Sequence, residues 1–156
     1  MTVSDGHCLA LGKCTVAFSE LDFWLSSFAW ALIGQDQHIG QIVTAEMSFA
    51  RKIDLVGSLF KHVCPDKGAR EDLQRLLGKL SQLEQRRNTA QHSLWIRQSE
   101  DPELATRLKV TAKRQHGLKH AKEDVTSEPL EGLARDLQAA TSDFSSFMVT
   151  FLSPRT

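Results

Sequence analysis

Leu73, Leu76, Leu80 and Leu83 step by three and four residues, and the series runs on through Arg87, Ala90 and Leu94. This spacing commits the segment to a helix with one buried face. Arg87 breaks the rule, because it stands in the apolar stripe where a leucine is expected. A guanidinium buried without a partner is expensive, so such a residue needs a reason to be there. At about 100° per residue, Asn88 lies about 100° and His92 about 140° around the helix from Arg87. Asn88 and His92 are then one turn apart, Arg87 flanks them at the core edge, and Trp95 falls in the same arc.

Arginine can hold a phosphate, histidine can move a proton near neutral pH, and asparagine can orient either one. Arg87, Asn88 and His92 are therefore the candidate catalytic residues, with Ser93 and Trp95 as secondary candidates for substrate binding. With ten arginines and six histidines, an Arg-x4-His pair whose arginine is followed at once by Asn, Asp or His arises by chance about 0.04 times. Arg86 could start a longer-gap version of the motif, but it falls outside the leucine stripe. The plainer reading of all three residues is a buried polar network that sets helix register or a dimer contact.

The rest of the chain reads as helical with one exception. Residues 1 to 14, with Gly6, Gly12 and two cysteines, are expected to form an irregular arm. A first helix is expected from Ser19 to Ile33, with Ser19 as its cap and Gly34 as its stop. A second covers Gln37 to Val63, its stripe running Ile39, Ile42, Val43, Phe49, Ile53, Val56, Phe60 and Val63. Cys64-Pro65-Asp66 ends it. The motif-bearing helix is expected from Ala69 to Arg97. Ser99-Glu100-Asp101-Pro102 then breaks the pattern.

Leu108, Val110 and Ala112 alternate with Lys109, Thr111 and Lys113, and Gln115-His116-Gly117 can turn the chain, so 106–125 reads as a β-hairpin. A last helix begins near Thr126 or Ser127, with Glu128 and Pro129 suited to its first turn. Leu130, Leu133, Leu137, Ala140, Phe144, Phe147 and Phe151 form its stripe. The expected fold class is all-α: a four-helix bundle with a small β-hairpin insertion before the last helix, in a single domain of residues 1–156.

A neutral net charge argues against a constitutive nucleic-acid coat protein but leaves room for a local phosphate site. The hairpin is the most basic segment, with no acid from 107 to 122. Lys109, Lys113 and Arg114 could hold an RNA backbone. Equally, lysines on a solvated edge can serve to block strand pairing. Cys8, Cys14 and Cys64 are an odd number without framework spacing, and with His7 and His62 they match no zinc signature. No metal or cofactor is expected. The N-terminus has no signal-peptide pattern, and the apolar run Phe23 to Ile33 is too short to span a bilayer. The expected location is cytoplasmic, with no membrane partner.

Arg87-Asn88-x-x-x-His92, and the phrase from Arg87 to Trp95 around it, resembles the motif helix of the HEPN superfamily (higher eukaryotes and prokaryotes nucleotide-binding domains). Members are helical bundles, many of them metal-independent RNases with an Arg-x4–6-His motif. The resemblance implies an endoribonuclease in which His92 shuttles a proton, Arg87 stabilises the pentacovalent phosphate, and Asn88 orients phosphate or imidazole. It further implies a homodimer whose motif helices face each other, RNA as substrate, and a toxin-like role in a toxin–antitoxin or antiphage module, beside an antitoxin protein. Alternatives are a non-enzymatic HEPN-like module that binds a nucleotide or protein, and a structural helical dimer.

Overall fold

The computed structural model describes residues 3–34, 36–98, 100–101, 103–113 and 117–153. It is mostly helical, with a three-stranded antiparallel sheet before the last helix. The elements are α1 (Asp5–Ile33), α2 (Gln37–Ala45), α3 (Phe49–Val63), α4 (Lys67–Gln91), β1 (Leu94–Arg97), β2 (Ala105–Lys113), β3 (Gly117–Val125) and α5 (Glu128–Leu152).

The first correction concerns the N-terminus. The expected irregular arm is helical from Asp5, and α1 runs for 29 residues. Ser4 caps it by accepting from the His7 amide, and Asp5 sits favourably in the first turn. Gly6 and Gly12 lower local propensity, but burial of His7, Ala10, Cys14 and Ala17 outweighs it. α1 packs against α2, α3, α4 and α5 and is the spine of the core. By length and composition it is also the one helix among the described residues able to cross a membrane. Gly34, at φ 66°, ends it as expected and donates to the Trp30 carbonyl.

The single helix expected over Gln37 to Val63 is two. Ser48 caps a fresh start by accepting from the Arg51 amide, which gives the second segment its own N-terminus. α2 meets α1 through Gly40 and Thr44. A Cβ on Gly40 would lie 2.7 Å from Trp30 Cδ1 and 3.0 Å from its Cα, so only glycine permits this approach. The Trp30 indole N–H donates to Thr44 Oγ1 at 2.8 Å. Ile39, Ile42 and Val43, expected in the core, are exposed. The short α2 packs mainly against α1.

The motif helix ends at Gln91, not Arg97. Leu94 to Arg97 form β1, which pairs antiparallel with β2, and β2 pairs with β3, giving the order β1-β2-β3. The expected hairpin is present with one strand more than the sequence suggested. Aromatic and β-branched residues at 95 and 96 favour a strand once the β2 edge offers backbone partners. In the expected breaks, Ser99, Pro102, Gln115 and His116 lie outside the described residues.

α5 starts after Ser127 with Pro129 in its first turn, and Leu130, Leu133, Leu137, Ala140 and Phe144 are buried as expected. The Phe28 ring stands 5.7–6.2 Å from those of Phe60, Phe144, Phe147 and Phe151. This cluster knits α1, α3 and α5 together, each fully buried ring contributing about 1.5–3 kcal/mol.

Candidate functional site

α4 delivers the motif. Asp66 caps it, accepting from the Ala69 amide at 2.9 Å. Leu73, Leu80 and Leu83 are buried as expected, Leu77 takes the place expected of the half-buried Leu76, and Ala90 continues the stripe. Arg87 falls in that series, half-buried at the core edge as its position in the stripe implies. Its guanidinium carbon lies 4.5 Å above the Phe18 ring of α1, a cation–π contact that partly offsets the desolvation of the charge. Nη1 donates to Asn88 Oδ1 at 3.1 Å. Nε is buried with no partner.

Two adjacent arginines are treated differently. Arg86 pairs with Asp136 of α5 at 2.7 Å, whereas Arg87 has no carboxylate partner among the described residues. Asn88 spends its carbonyl oxygen on Arg87 and its backbone carbonyl on the His92 amide, at 3.1 Å. His92 is the C-cap of α4 and is exposed. Its imidazole makes no hydrogen bond or ion pair among the described residues. Sequence reasoning missed Gln91, whose Nε2 donates to Thr15 Oγ1 at 2.6 Å and to the Leu11 carbonyl at 3.3 Å. These bonds hold the C-terminal turn of α4 against α1.

The secondary candidates do not join this group. Because the helix stops at Gln91, Trp95 sits on β1 and not in the arc of Asn88 and His92. Its indole N–H donates to the Ala90 carbonyl at 2.9 Å, and its ring lies 5.9 Å from that of His7. Ser93 donates to the Thr89 carbonyl at 2.6 Å. Lys109 reaches Thr89 Oγ1 at 2.8 Å. Trp95 instead helps line a cleft of about 460 Å³ between α4, the sheet and α5, with Gln82, Gln85, Arg86, Thr89 and Arg107.

The basic run is divided. The strand register places Arg107, Lys109 and Lys119 on one face of the sheet and Lys122 on the other. Arg107 pairs with Glu123 across the strands, so the segment is less free a cation than its composition implied. Lys113 ends β2 opposite Gly117, and Arg114 lies outside the described residues.

His7 is buried for structure. Its Nε2 lies 3.0 Å from the Val125 carbonyl and its Nδ1 2.8 Å from Ser4 Oγ. A carbonyl only accepts, which places the proton on Nε2. Cys14, also buried, donates to the Leu130 carbonyl. Burial pushes its thiol above the ordinary value, and the charges of Arg86 and Arg87 pull the other way. Among the described residues no group of three His, Cys, Asp or Glu could hold a metal ion.

No family model, no curated protein and no solved structure matches the chain.

Proposed function

We propose that this chain is a HEPN-type, metal-independent endoribonuclease that works as a homodimer, in the manner of a toxin held by a separate antitoxin in the cytoplasm. The observation that carries the reading is Arg87, a half-buried guanidinium with no carboxylate partner among the described residues, followed on the same helix end by an exposed His92 whose imidazole is unengaged. In this reading α2 and α3 count as one interrupted helix, and with α1, α4 and α5 they make the four-helix bundle of that superfamily.

RNA carries its own nucleophile. The 2′-hydroxyl attacks the adjacent phosphorus, its proton passes to a base, and the 5′ oxygen leaves with a proton from an acid. The products are a 2′,3′-cyclic phosphate and a 5′-hydroxyl. Histidine is suited to the proton transfers near pH 7, and a fixed cation to the charge that builds on phosphorus. His92 would move the proton and Arg87 would stabilise the phosphorane, with Asn88 holding the guanidinium in place. One chain supplies one histidine. Water would supply the other half of the acid–base pair, and a second copy would bring a second site to the same RNA. Trp95 and Lys109, on the cleft side of α4, would meet the RNA away from the scissile bond.

The test is cleavage of structured and unstructured RNA in excess EDTA by wild type, Arg87→Ala and His92→Ala. Cleavage leaving a cyclic phosphate is expected in wild type, reduced about 10²–10⁴-fold in each variant. Equal inertness of all three while folded sinks the enzyme reading. The second reading is then a non-enzymatic binding module, favoured by the cleft beside Trp95, Arg86 and Arg107.

A further inference from the structure

α1 buries one side and, from Cys8 to Phe23, leaves the other exposed; beyond it α2 covers that face through Gly40 against Trp30. Leu9, Val16 and Phe23 are 59%, 71% and 57% exposed. They stand seven residues apart, so at about 100° per residue Leu9 lies about 20° to one side of Val16 and Phe23 about 20° to the other. This is a straight apolar seam on a helix whose opposite face is already in the core. Gly12 falls on the seam with nothing within 4 Å of the place its Cβ would take. Lys13 and Glu20 flank it, and neither has an ion pair within the chain among the described residues.

The seam is complementary to itself. Leu9 and Phe23 are equidistant from Val16, so when two copies are laid antiparallel about Val16, Leu9 meets the partner's Phe23 and Val16 meets the partner's Val16. Lys13 then falls within one residue of the partner's Glu20, twice over by symmetry. Gly12 falls equally close to the partner's Ser19, and these two small residues let the helices approach. A parallel pairing would set Lys13 against Lys13 and Glu20 against Glu20, like charges in contact. We propose that α1 pairs antiparallel with α1 of a second copy of this chain through Leu9, Gly12, Val16 and Phe23, locked by Lys13 against the partner's Glu20.

The pairing rests on the homodimer part of the reading above and gives it a geometry. Gln91 binds Leu11 and Thr15, and Arg87 covers Phe18. All three lie to the same side of the seam as Gly12 and centre on the height of Val16. A two-fold axis perpendicular to both helices keeps that side common to the two copies. Both motifs therefore stand on one face of the dimer, one on each side of the paired helices, where a single RNA strand would meet each histidine at its own phosphate.

Sedimentation of the full chain tests the pairing. Wild type is expected to be dimeric at micromolar concentration and Val16→Glu monomeric, with helical content unchanged because position 16 is exposed. Lys13→Glu should raise the dimer Kd about tenfold, and Lys13→Glu with Glu20→Lys should restore it. In a Cys8→Ser background, Val16→Cys should oxidise to a covalent dimer. In the wild type the two Cys8 residues would stand about 24 Å apart and should not cross-link. A dimer that survives Val16→Glu places the interface elsewhere and overturns this pairing, while the homodimer reading stands. A monomeric wild type overturns both.

Discussion

Replacing Arg87 by methionine separates a catalytic arginine from a structural one. Methionine keeps the length of the stem over Phe18 and removes the charge. It forfeits the cation–π contact at 4.5 Å, worth about 0.5–2 kcal/mol at a half-buried site. It also forfeits the bond to Asn88 Oδ1, about 1.5 kcal/mol for a charged donor. Against these stands the buried Nε without a partner, a penalty of about 1–3 kcal/mol that the variant escapes. The terms nearly cancel, so Arg87→Met should lie within about 1 kcal/mol of wild type. Arg87→Ala should be worse, since it also strips the stem from Phe18. The assay is urea unfolding of the three proteins at neutral pH, alongside RNA cleavage in EDTA. Stability kept and cleavage lost at least 100-fold means that Arg87 is present for chemistry. A loss of 3 kcal/mol or more in Arg87→Met, on the order of breaking a buried ion pair, would make the arginine a structural bolt and refute the accounting.

Two further outcomes follow from buried groups outside the motif. Lys52 is almost wholly buried and donates to both oxygens of Asp22, at 2.9 and 2.8 Å, so Asp22→Ala should destabilise by about 2–3 kcal/mol, less than a fully buried pair because Asp22 is a third exposed. Adding Lys52→Met should recover most of that loss; a single variant as mild as a surface-pair mutant would count against it. Cys14 titrates above the ordinary thiol range in the fold because burial disfavours its thiolate. Its contribution is complete below the unfolded thiol's pKa and is lost as pH rises through the folded one, because the unfolded state gives up its proton first. Wild type should therefore lose more stability than Cys14→Ala between pH 8 and pH 10.5, read as urea midpoints, and an equal or smaller loss would contradict the burial effect.

Much of the site could be read from local spacing. The leucine stripe told that residue 87 faces the core edge, and Arg87 lies there over Phe18. It did not tell what Arg87 would touch, because Phe18 is 69 residues away along the chain and belongs to a segment whose helix was expected to start only at Ser19. Gln91 was invisible for the same reason: its partners Leu11 and Thr15 stood next to, or within, an expected irregular arm. Trp95 was misplaced because periodicity carries on through Leu94 whether or not the helix does.

The sequence by itself determined the period of each long segment, the odd placement of Arg87, the alternating hairpin and the start of the last helix. These are local properties, set by side-chain spacing, caps and turn residues within a few positions. Tertiary structure decided where α4 ends, because the free edge of β2 offered Leu94 to Arg97 a ladder of backbone partners that continued helix could not use. It decided that residues 5 to 18 are helical, because α3 and α4 supply the partners of Phe18 and α5 that of Cys14. It also split the candidates across α4, turning Arg87 toward α1 and Arg86 with Trp95 toward the cleft. Each of these outcomes depends on contacts between residues distant in the chain, and no local pattern records which distant surface will be there to meet them.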